Sequence, residues 1–175
     1  MIRPLAPDVR AHLRSGIATP TVPQCVEELV LNSIDAGATC VAIRVDIANY
    51  KIQVIDNGCG ISKKGMDIIG ERYATSKCHD LKDMDNLAFF GYRGEALASV
   101  SQISGVLEIV SRAKSSDVTN SKLFRNGKPS KPFEASRQRP SIGTTVTVHS
   151  IFQNLPVRRK MLSPSLDYER IRKRI

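Results

Sequence analysis

Three polar side chains lie at helical spacing in the segment 27–38 of the sequence: Glu28, Asn32 and Asp35. At about 100° per residue, positions i, i+4 and i+7 fall on one stripe of a helix. The apolar residues of the segment fall on the opposite side: Val26, Leu29, Val30 and Ile34. No basic residue follows at i+4 to pair with the acids, so the stripe suits a cation or a polar ligand. The segment alone fits a solvated helix face equally well.

A second group of candidate residues follows a predicted strand, where the chain reads Asp56-Asn57-Gly58-Cys59-Gly60-Ile61. Two glycines that flank one residue indicate a tight turn in which the backbone approaches something closely. Asp-Asn-Gly is also a common hairpin turn, and Gly143-Thr144-Thr145-Val146 alone reads as a plain strand. Neither stretch identifies a site by itself.

The elements that must position these residues include both helix and strand patterns. A helix is predicted to start just after Pro23, and Gly37 ends it in the usual way. Alternation over 39–47 and a second strand over 50–55 predict an antiparallel hairpin. The polar stretch Tyr73–Phe90 is typical of a lid or a binding loop. The other predicted elements are strands Gly105–Ser111, Asn120–Phe124 and Thr144–Ser150, helices Pro7–Arg14, Lys63–Arg72 and Ser165–Ile175, and a glycine-rich turn that leads into a helix within Gly91–Val100.

Composition indicates one well-cored domain, since the chain has 175 residues of which 41% are hydrophobic. The four cysteines form no C-x-x-C pair, which favours reduced thiols, most of them in core positions. No signal peptide or apolar membrane span is predicted. Residues 1–110 hold 11 basic and 13 acidic side chains, whereas residues 111–175 hold 15 and 4. That asymmetry suggests either a face for a polyanion or a merely solubilising surface.

Two phosphate-binding motifs are absent: G-x-x-x-x-G-K-[ST], and the third glycine of a dinucleotide fingerprint after Gly60. The chain instead resembles the gyrase/Hsp90/histidine-kinase/MutL (GHKL) ATPase superfamily, and within it the MutL mismatch-repair proteins. The matching blocks occur in order along nearly the whole chain. They are Glu28-Leu29-x-x-Asn32-Ser33-x-Asp35-Ala36-Gly37-Ala38, Asp56-Asn57-Gly58-x-Gly60-Ile61, Arg72-Tyr73-Ala74-Thr75-Ser76-Lys77, Gly91-Tyr92-Arg93-Gly94-Glu95-Ala96-Leu97-Ala98-Ser99, Gly143-Thr144-Thr145-Val146 and Leu155-Pro156-Val157-Arg158-Arg159-Lys160.

The resemblance implies a fold and a nucleotide site. The fold is a two-layer α/β sandwich over residues 1–175, in which helices cover one face of a mixed, mostly antiparallel sheet. Glu28 is the general base for the attacking water, and Asn32 supplies an oxygen to Mg²⁺. Asp56 accepts from the adenine amino group of ATP, with Thr144 beside it. Gly58 and Gly60 let the base lie close to the backbone.

Further residues are expected around the phosphates by the same resemblance. Thr75, Ser76 and Lys77 belong to the lid, where Lys77 could meet phosphate. The segment from Arg93 through Gly94, Glu95 and Ala96 to Leu97 starts a helix, whose free N–H groups attract anions. Arg93 itself is expected to face solvent or a partner. The role of Asp35 is open between orienting the site and bonding locally.

Within the MutL proteins, Arg14-Ser15-Gly16 and the segment around Glu28 resemble the third, chiefly meiotic, eukaryotic homologue. This implies a nuclear protein in DNA mismatch repair that pairs with the first eukaryotic MutL homologue. It also implies MutS-type proteins as partners and an ATP-driven clamp on DNA. The family's second N-terminal domain, with its γ-phosphate lysine, is expected outside these residues, so turnover should be slow. The alternative is a DNA-binding clamp module, using the basic 111–175 half, with little or no ATPase activity of its own.

Overall fold

The computed structural model describes residues 21–71 and 95–175. The predicted helix Pro7–Arg14 and the polar stretch Tyr73–Phe90 lie outside these ranges. The described helices are α1 (Val22–Asp35), α2 (Lys63–Ile68), α3 (Ala96–Ile103), α4 (Pro156–Lys160) and α5 (Pro164–Arg174). The described strands are β1 (Val41–Asp46), β2 (Lys51–Asp56), β3 (Ser104–Arg112), β4 (Thr119–Arg125), β5 (Lys128–Pro129), β6 (Phe133–Glu134) and β7 (Gly143–Ile151).

The strands form one sheet in the order β1-β2-β7-β3-β4-β5, with β6 also paired to β4. Every pairing among the described strands is antiparallel. β1 and β2 form the predicted hairpin, and β3 and β4 form another pair. β7 comes last in the chain but lies between these two pairs. This insertion brings the end of β2, the start of β7 and the end of β3 side by side.

A row of apolar side chains crosses five strands on one face of the sheet. Its members pair in register from strand to strand: Val45, Ile52, Val148, Leu107 and Phe124. The helices contribute to the same core through Leu29 of α1, Val100 of α3 and Ile171 of α5, among others. The predicted two-layer α/β sandwich is therefore confirmed, with the helices packed on this face.

A capping hydrogen bond marks the start of α1, and a glycine with positive φ follows its end. The Thr21 hydroxyl accepts a hydrogen bond from the Gln24 N–H, and Gly37 adopts a φ of 72° just after the helix, as predicted. One detail of the predicted stripe is wrong: Ile34 is 48% exposed, whereas Ser33 is buried. The buried side of α1 is therefore rotated slightly from the predicted one, and it includes Val22, Cys25, Val26, Leu29 and Ser33.

The other predicted strands and the C-terminal helix are confirmed to within two residues at each end. α2 ends at Ile68 rather than at Arg72, and Gly70 then turns with a φ of 81° against the Phe124 ring. The short elements α4, β5 and β6 were not predicted. Of the described cysteines only Cys25 is buried, whereas Cys40 and Cys59 are exposed, so the prediction that most of the four cysteines occupy core positions is wrong. No helix in the described ranges is long and apolar enough to cross a membrane.

Candidate functional site

α1 carries the predicted polar stripe along one edge of the core. Glu28, Asn32 and Asp35 are each half-buried, and each interacts with another group of the molecule. The carboxylate of Glu28 also acts on Cys25, one turn earlier. Burial, with a smaller contribution from the Glu28 charge, raises the pKa of the Cys25 thiol to about 12. The stripe therefore lies at the boundary between the core and the surface, where a polar ligand can reach it.

Asp56 ends β2 and is 7% exposed, with hydrogen-bond donors around its carboxylate. Its Oδ1 accepts from the backbone N–H groups of Gly58 at 2.9 Å and Thr144 at 3.0 Å. Its Oδ2 accepts from the Ser33 hydroxyl at 3.1 Å. A carboxylate has about four lone-pair positions. Donors in the described part of the chain use three of them, which leaves a position on Oδ2 for one further donor.

Arg139 holds the backbone of Asp56. Its guanidinium donates to the Asp56 carbonyl at 2.9 Å and also to the Thr145 hydroxyl. Burial lowers the pKa of Arg139, while the negative charge of Asp56 raises it and so favours the guanidinium form. Arg139 thus ties the end of β2 to the start of β7 and places a positive charge near Asp56.

Gly58 and Gly60 shape the turn after β2 through contacts within the protein. A Cβ on Gly58 would lie 2.8 Å from the Ala36 side chain, at the end of α1. A Cβ on Gly60, whose φ is 70°, would lie 2.2 Å from the Arg112 carbonyl oxygen. Close packing of the turn against α1 and β3 therefore accounts for both glycines, independently of any bound base.

Val54, Val146 and Ile109 form an apolar row across β2, β7 and β3. Two residues further along these strands lie Asp56, Thr144 and Ser111, which form a polar row. Thr144 pairs with Ser111 in register, and the Thr144 N–H meets Asp56 on the other side. The Ser111 and Thr144 hydroxyl oxygens are 2.9 Å apart, and both residues are buried. Residues i and i+2 of a strand share a face, so this row lies on the helix-covered face with α1 beside it. Asp56, Ser33, Thr144 and Ser111 form one connected polar cluster.

The predicted phosphate-binding residues are only partly within the described ranges. Glu95 precedes α3 and makes no capping hydrogen bond with its side chain. Ala96 and Leu97 form the first turn of α3, and Leu97 packs against the core. The predicted lid residues and the start of the glycine-rich segment lie outside the described residues: Thr75, Ser76, Lys77, Arg93 and Gly94.

Three residues that hold Asp56 or Thr144 in place had no role in the sequence analysis: Ser33, Ser111 and Arg139. Ser111 had a signal, because it follows Ile109 at i+2 and so continues a buried face with a polar residue. Ser33 lies inside a matching block, next to Asn32. Arg139 comes from a basic loop without periodicity, so nothing in the sequence pointed to it.

The class of protein follows from this fold together with comparisons to known proteins. Residues 21–148 match the family model described as Histidine kinase-, DNA gyrase B-, and HSP90-like ATPase. The chain therefore belongs to this ATPase family, as the resemblance implied. Because the family's fold is the one found here, the predicted GHKL fold is confirmed.

Individual relatives define the branch of the family. The chain is 49% identical to the DNA mismatch repair protein Mlh3 of Homo sapiens over 100% of its own length, and 42% identical to MLH3 of Arabidopsis thaliana over 98%. It spans only 12% and 15% of the lengths of these relatives. The solved ADP complex of the Aquifex aeolicus MutL ATPase domain is 27% identical, with a TM-score of 0.62 over 87% of this chain and 52% of the other. The chain is thus similar to MutL-type mismatch-repair ATPases.

Proposed function

We propose that this chain binds ATP against α1 and the polar row, and hydrolyses it with Mg²⁺. The observation that carries the proposal is an acceptor position on Oδ2 of Asp56 that no donor among residues 21–71 and 95–175 occupies. An amino group, such as that at C6 of adenine, can donate to this position. The carbonyl of guanine cannot, because two acceptors repel each other. Such a carboxylate therefore favours ATP over GTP.

The polar stripe of α1 fits the chemistry of phosphate hydrolysis. Glu28 is proposed to orient the attacking water and accept its proton, and Asn32 to supply an amide oxygen to Mg²⁺ one turn later. When bound, Mg²⁺ would neutralise phosphate charge. Among residues 21–71 and 95–175 there is no cluster of three or more His, Cys, Asp or Glu side chains that could hold a metal. The proposed ion therefore relies on one protein amide and the phosphates, which suits Mg²⁺ because it retains several waters.

The whole-protein function is proposed from the relatives. Similarity to Mlh3 proteins supports a role in DNA mismatch repair. A nuclear location and a part in meiotic recombination are proposed from the resemblance to the third eukaryotic MutL homologue. We infer that ATP drives association of two N-terminal domains into a clamp on DNA. The expected partner is the first eukaryotic MutL homologue, acting with MutS-type mismatch-recognition proteins. Turnover by these 175 residues alone is expected to be slow.

The adenine site is tested by titrating the chain with Mg²⁺ and a non-hydrolysable ATP analogue. Asp56→Asn replaces one acceptor by an amide donor, so we expect affinity to fall about 10- to 100-fold, the effect of losing a hydrogen bond to a charged group. Glu169→Ala removes an exposed carboxylate on α5 and should leave affinity unchanged. Equal binding by Asp56→Asn and the wild type would refute the assignment.

Hydrolysis is tested separately from binding. Glu28→Ala should abolish turnover while the analogue still binds with nearly wild-type affinity, because a general base acts only in the chemical step. A comparable loss of binding would show that Glu28 does not act as the base.

A second candidate function is DNA binding by a clamp module with little ATPase activity of its own. The excess of basic side chains in 111–175 favours it. Exposed basic residues occur on the C-terminal helices, including Lys160, Arg170 and Arg172. The two functions are compatible, and only the first depends on Asp56.

A further inference from the structure

Ser111 is a fully buried serine with three hydrogen-bonding neighbours among the described residues, at the end of the sheet where we propose that the nucleotide binds. It is 0% exposed, and its Oγ accepts from the Ile61 N–H at 2.8 Å. The same oxygen lies 3.1 Å from the Gly143 carbonyl and 2.9 Å from the Thr144 hydroxyl. Ser111 thus connects the turn after β2 to the start of β7.

Proton counting fixes the direction of these contacts. The Ser111 hydroxyl has one proton, and the Gly143 carbonyl can only accept, so that proton goes to Gly143. Ser111 then has no proton left for Thr144. The third contact needs a donor as well, and it must be the Thr144 hydroxyl. This assignment is the only one that gives all three contacts both a donor and an acceptor.

The Thr144 hydroxyl therefore presents only lone pairs on its remaining side. Its N–H is also occupied, because it donates to Oδ1 of Asp56. Asp56 and Thr144 lie next to each other and both offer acceptors alone. A ligand group that meets them directly, or through a single water that donates to both, must donate. Guanine and hypoxanthine carry a carbonyl where adenine carries its amino group, so Thr144 adds a second penalty against them.

We propose that Ser111 is a positioning residue for base selection, which holds the Thr144 hydroxyl as an acceptor and so strengthens the preference for adenine. The proposal rests on the adenine site of the proposed function. In the absence of Ser111, the Thr144 hydroxyl can rotate and donate to a base carbonyl. Selectivity between ATP and ITP, the hypoxanthine nucleotide, then falls.

The test measures the ratio of affinities for non-hydrolysable ATP and ITP analogues with Mg²⁺. Ser111→Ala should lower the wild-type ratio about fivefold, the effect of roughly one neutral hydrogen bond. In a Thr144→Val background the same substitution should leave the ratio unchanged, because no hydroxyl remains to reorient. A loosened fold weakens both nucleotides alike and leaves the ratio constant, so the ratio separates positioning from stability.

Two further variants complete the experiment. Ser104→Ala removes a serine of the same strand that is equally buried at the opposite end, where its hydroxyl donates to the Val100 carbonyl. It should leave the ratio at the wild-type value. Ser111→Cys fills nearly the same space with a weak donor and acceptor, and should lower the ratio even if Ser111→Ala does not fold.

The outcomes distinguish the role of Ser111 from the proposed adenine site on which it rests. A wild-type ratio retained in Ser111→Cys and in any folded Ser111→Ala overturns the role of Ser111 and leaves the adenine site intact. If Ser111→Ala lowers the ratio in the Thr144→Val background as much as it does in the wild type, the role of Ser111 is also overturned. Failure of the wild type to prefer ATP over ITP contradicts the proposed adenine site itself.

Discussion

The backbone of Gly143 lies very close to Asp56 and limits the geometry there. Its φ is 130°, in the region that favours glycine, and a Cβ there would lie 2.1 Å from the Asp56 carbonyl oxygen. That carbonyl also accepts from Arg139. Any side chain at position 143 must therefore push β7 away from Asp56.

Gly143→Ala should consequently lower both the free energy of unfolding and the affinity for the ATP analogue. Gly37→Ala is a matched control, since Gly37 also has a positive φ, of 72°, but nothing lies within 4 Å of its Cβ position. Backbone strain alone costs of order 1–3 kcal/mol, and the clash at Gly143 adds to it. We expect denaturant unfolding to show the larger loss for Gly143→Ala. Gly37→Ala should retain nucleotide affinity, and equal behaviour of the two variants would contradict this account.

At the scale of elements, a buried lysine joins β4 to the end of α2. Lys122 is 2% exposed, and its Nζ donates to the carbonyls of Asp67 at 2.8 Å and Ile69 at 3.1 Å. Burial lowers the pKa of Lys122, and the negative charges of Glu71 and Asp67 raise it and so offset part of this shift. The last carbonyls of a helix lack partners within the helix and favour a cation. Lys122 supplies both the donor and the charge.

Lys122→Met should therefore destabilise the fold although it preserves much of the apolar stem. Two carbonyls at the end of α2 lose their donor, and a buried polar group left unpaired costs about 1–3 kcal/mol. Chemical denaturation should show a loss of this size. Lys128→Met, at an exposed position of β5, is expected to change stability little. An unaltered midpoint in Lys122→Met would mean that water replaces the ammonium group.

The sequence predicted elements better than their arrangement, for a physical reason. Alternation identifies a strand and its two faces, and it located β1, β2, β3, β4 and β7. It does not say which strands are neighbours, so the position of β7 between β2 and β3 could not be foreseen. The same limit applied to the candidate site. Asp56 and Thr144 could be identified because each lies in a sequence motif. Ser111 and Arg139 gain their roles only from pairings across distant segments.

The charge of the whole molecule is uneven, and this bears on the proposed DNA contact. A protein that neutralises phosphates releases counterions, so log affinity falls with log salt by about 0.9 for each phosphate contacted. We expect replacement of Lys160, Arg170 and Arg172 by glutamine to weaken DNA binding and reduce that slope by up to about 2.7. The measurement is a series of binding titrations at increasing salt.

The matched control removes the same number of charges from the other half of the chain. Lys51, Lys63 and Lys64 are exposed and lie in the segment whose net charge is slightly negative. Their replacement by glutamine should leave the slope nearly unchanged. Equal reductions in both triple variants would show that net charge, rather than the basic C-terminal half, determines binding.

The late insertion of β7 also determines when the molecule becomes competent during synthesis. The Asp56 carboxylate meets the Thr144 N–H across 88 residues of chain, and contacts of such separation form slowly because loop closure precedes them. Until residues 143–151 leave the ribosome, the β1–β2 and β3–β4 pairs each present an open edge, which can recruit other chains. The strand that completes the polar row of Asp56, Thr144 and Ser111 is therefore also the one that closes the gap in the sheet, so a nascent chain acquires its candidate ligand site and its protection from aggregation in one step.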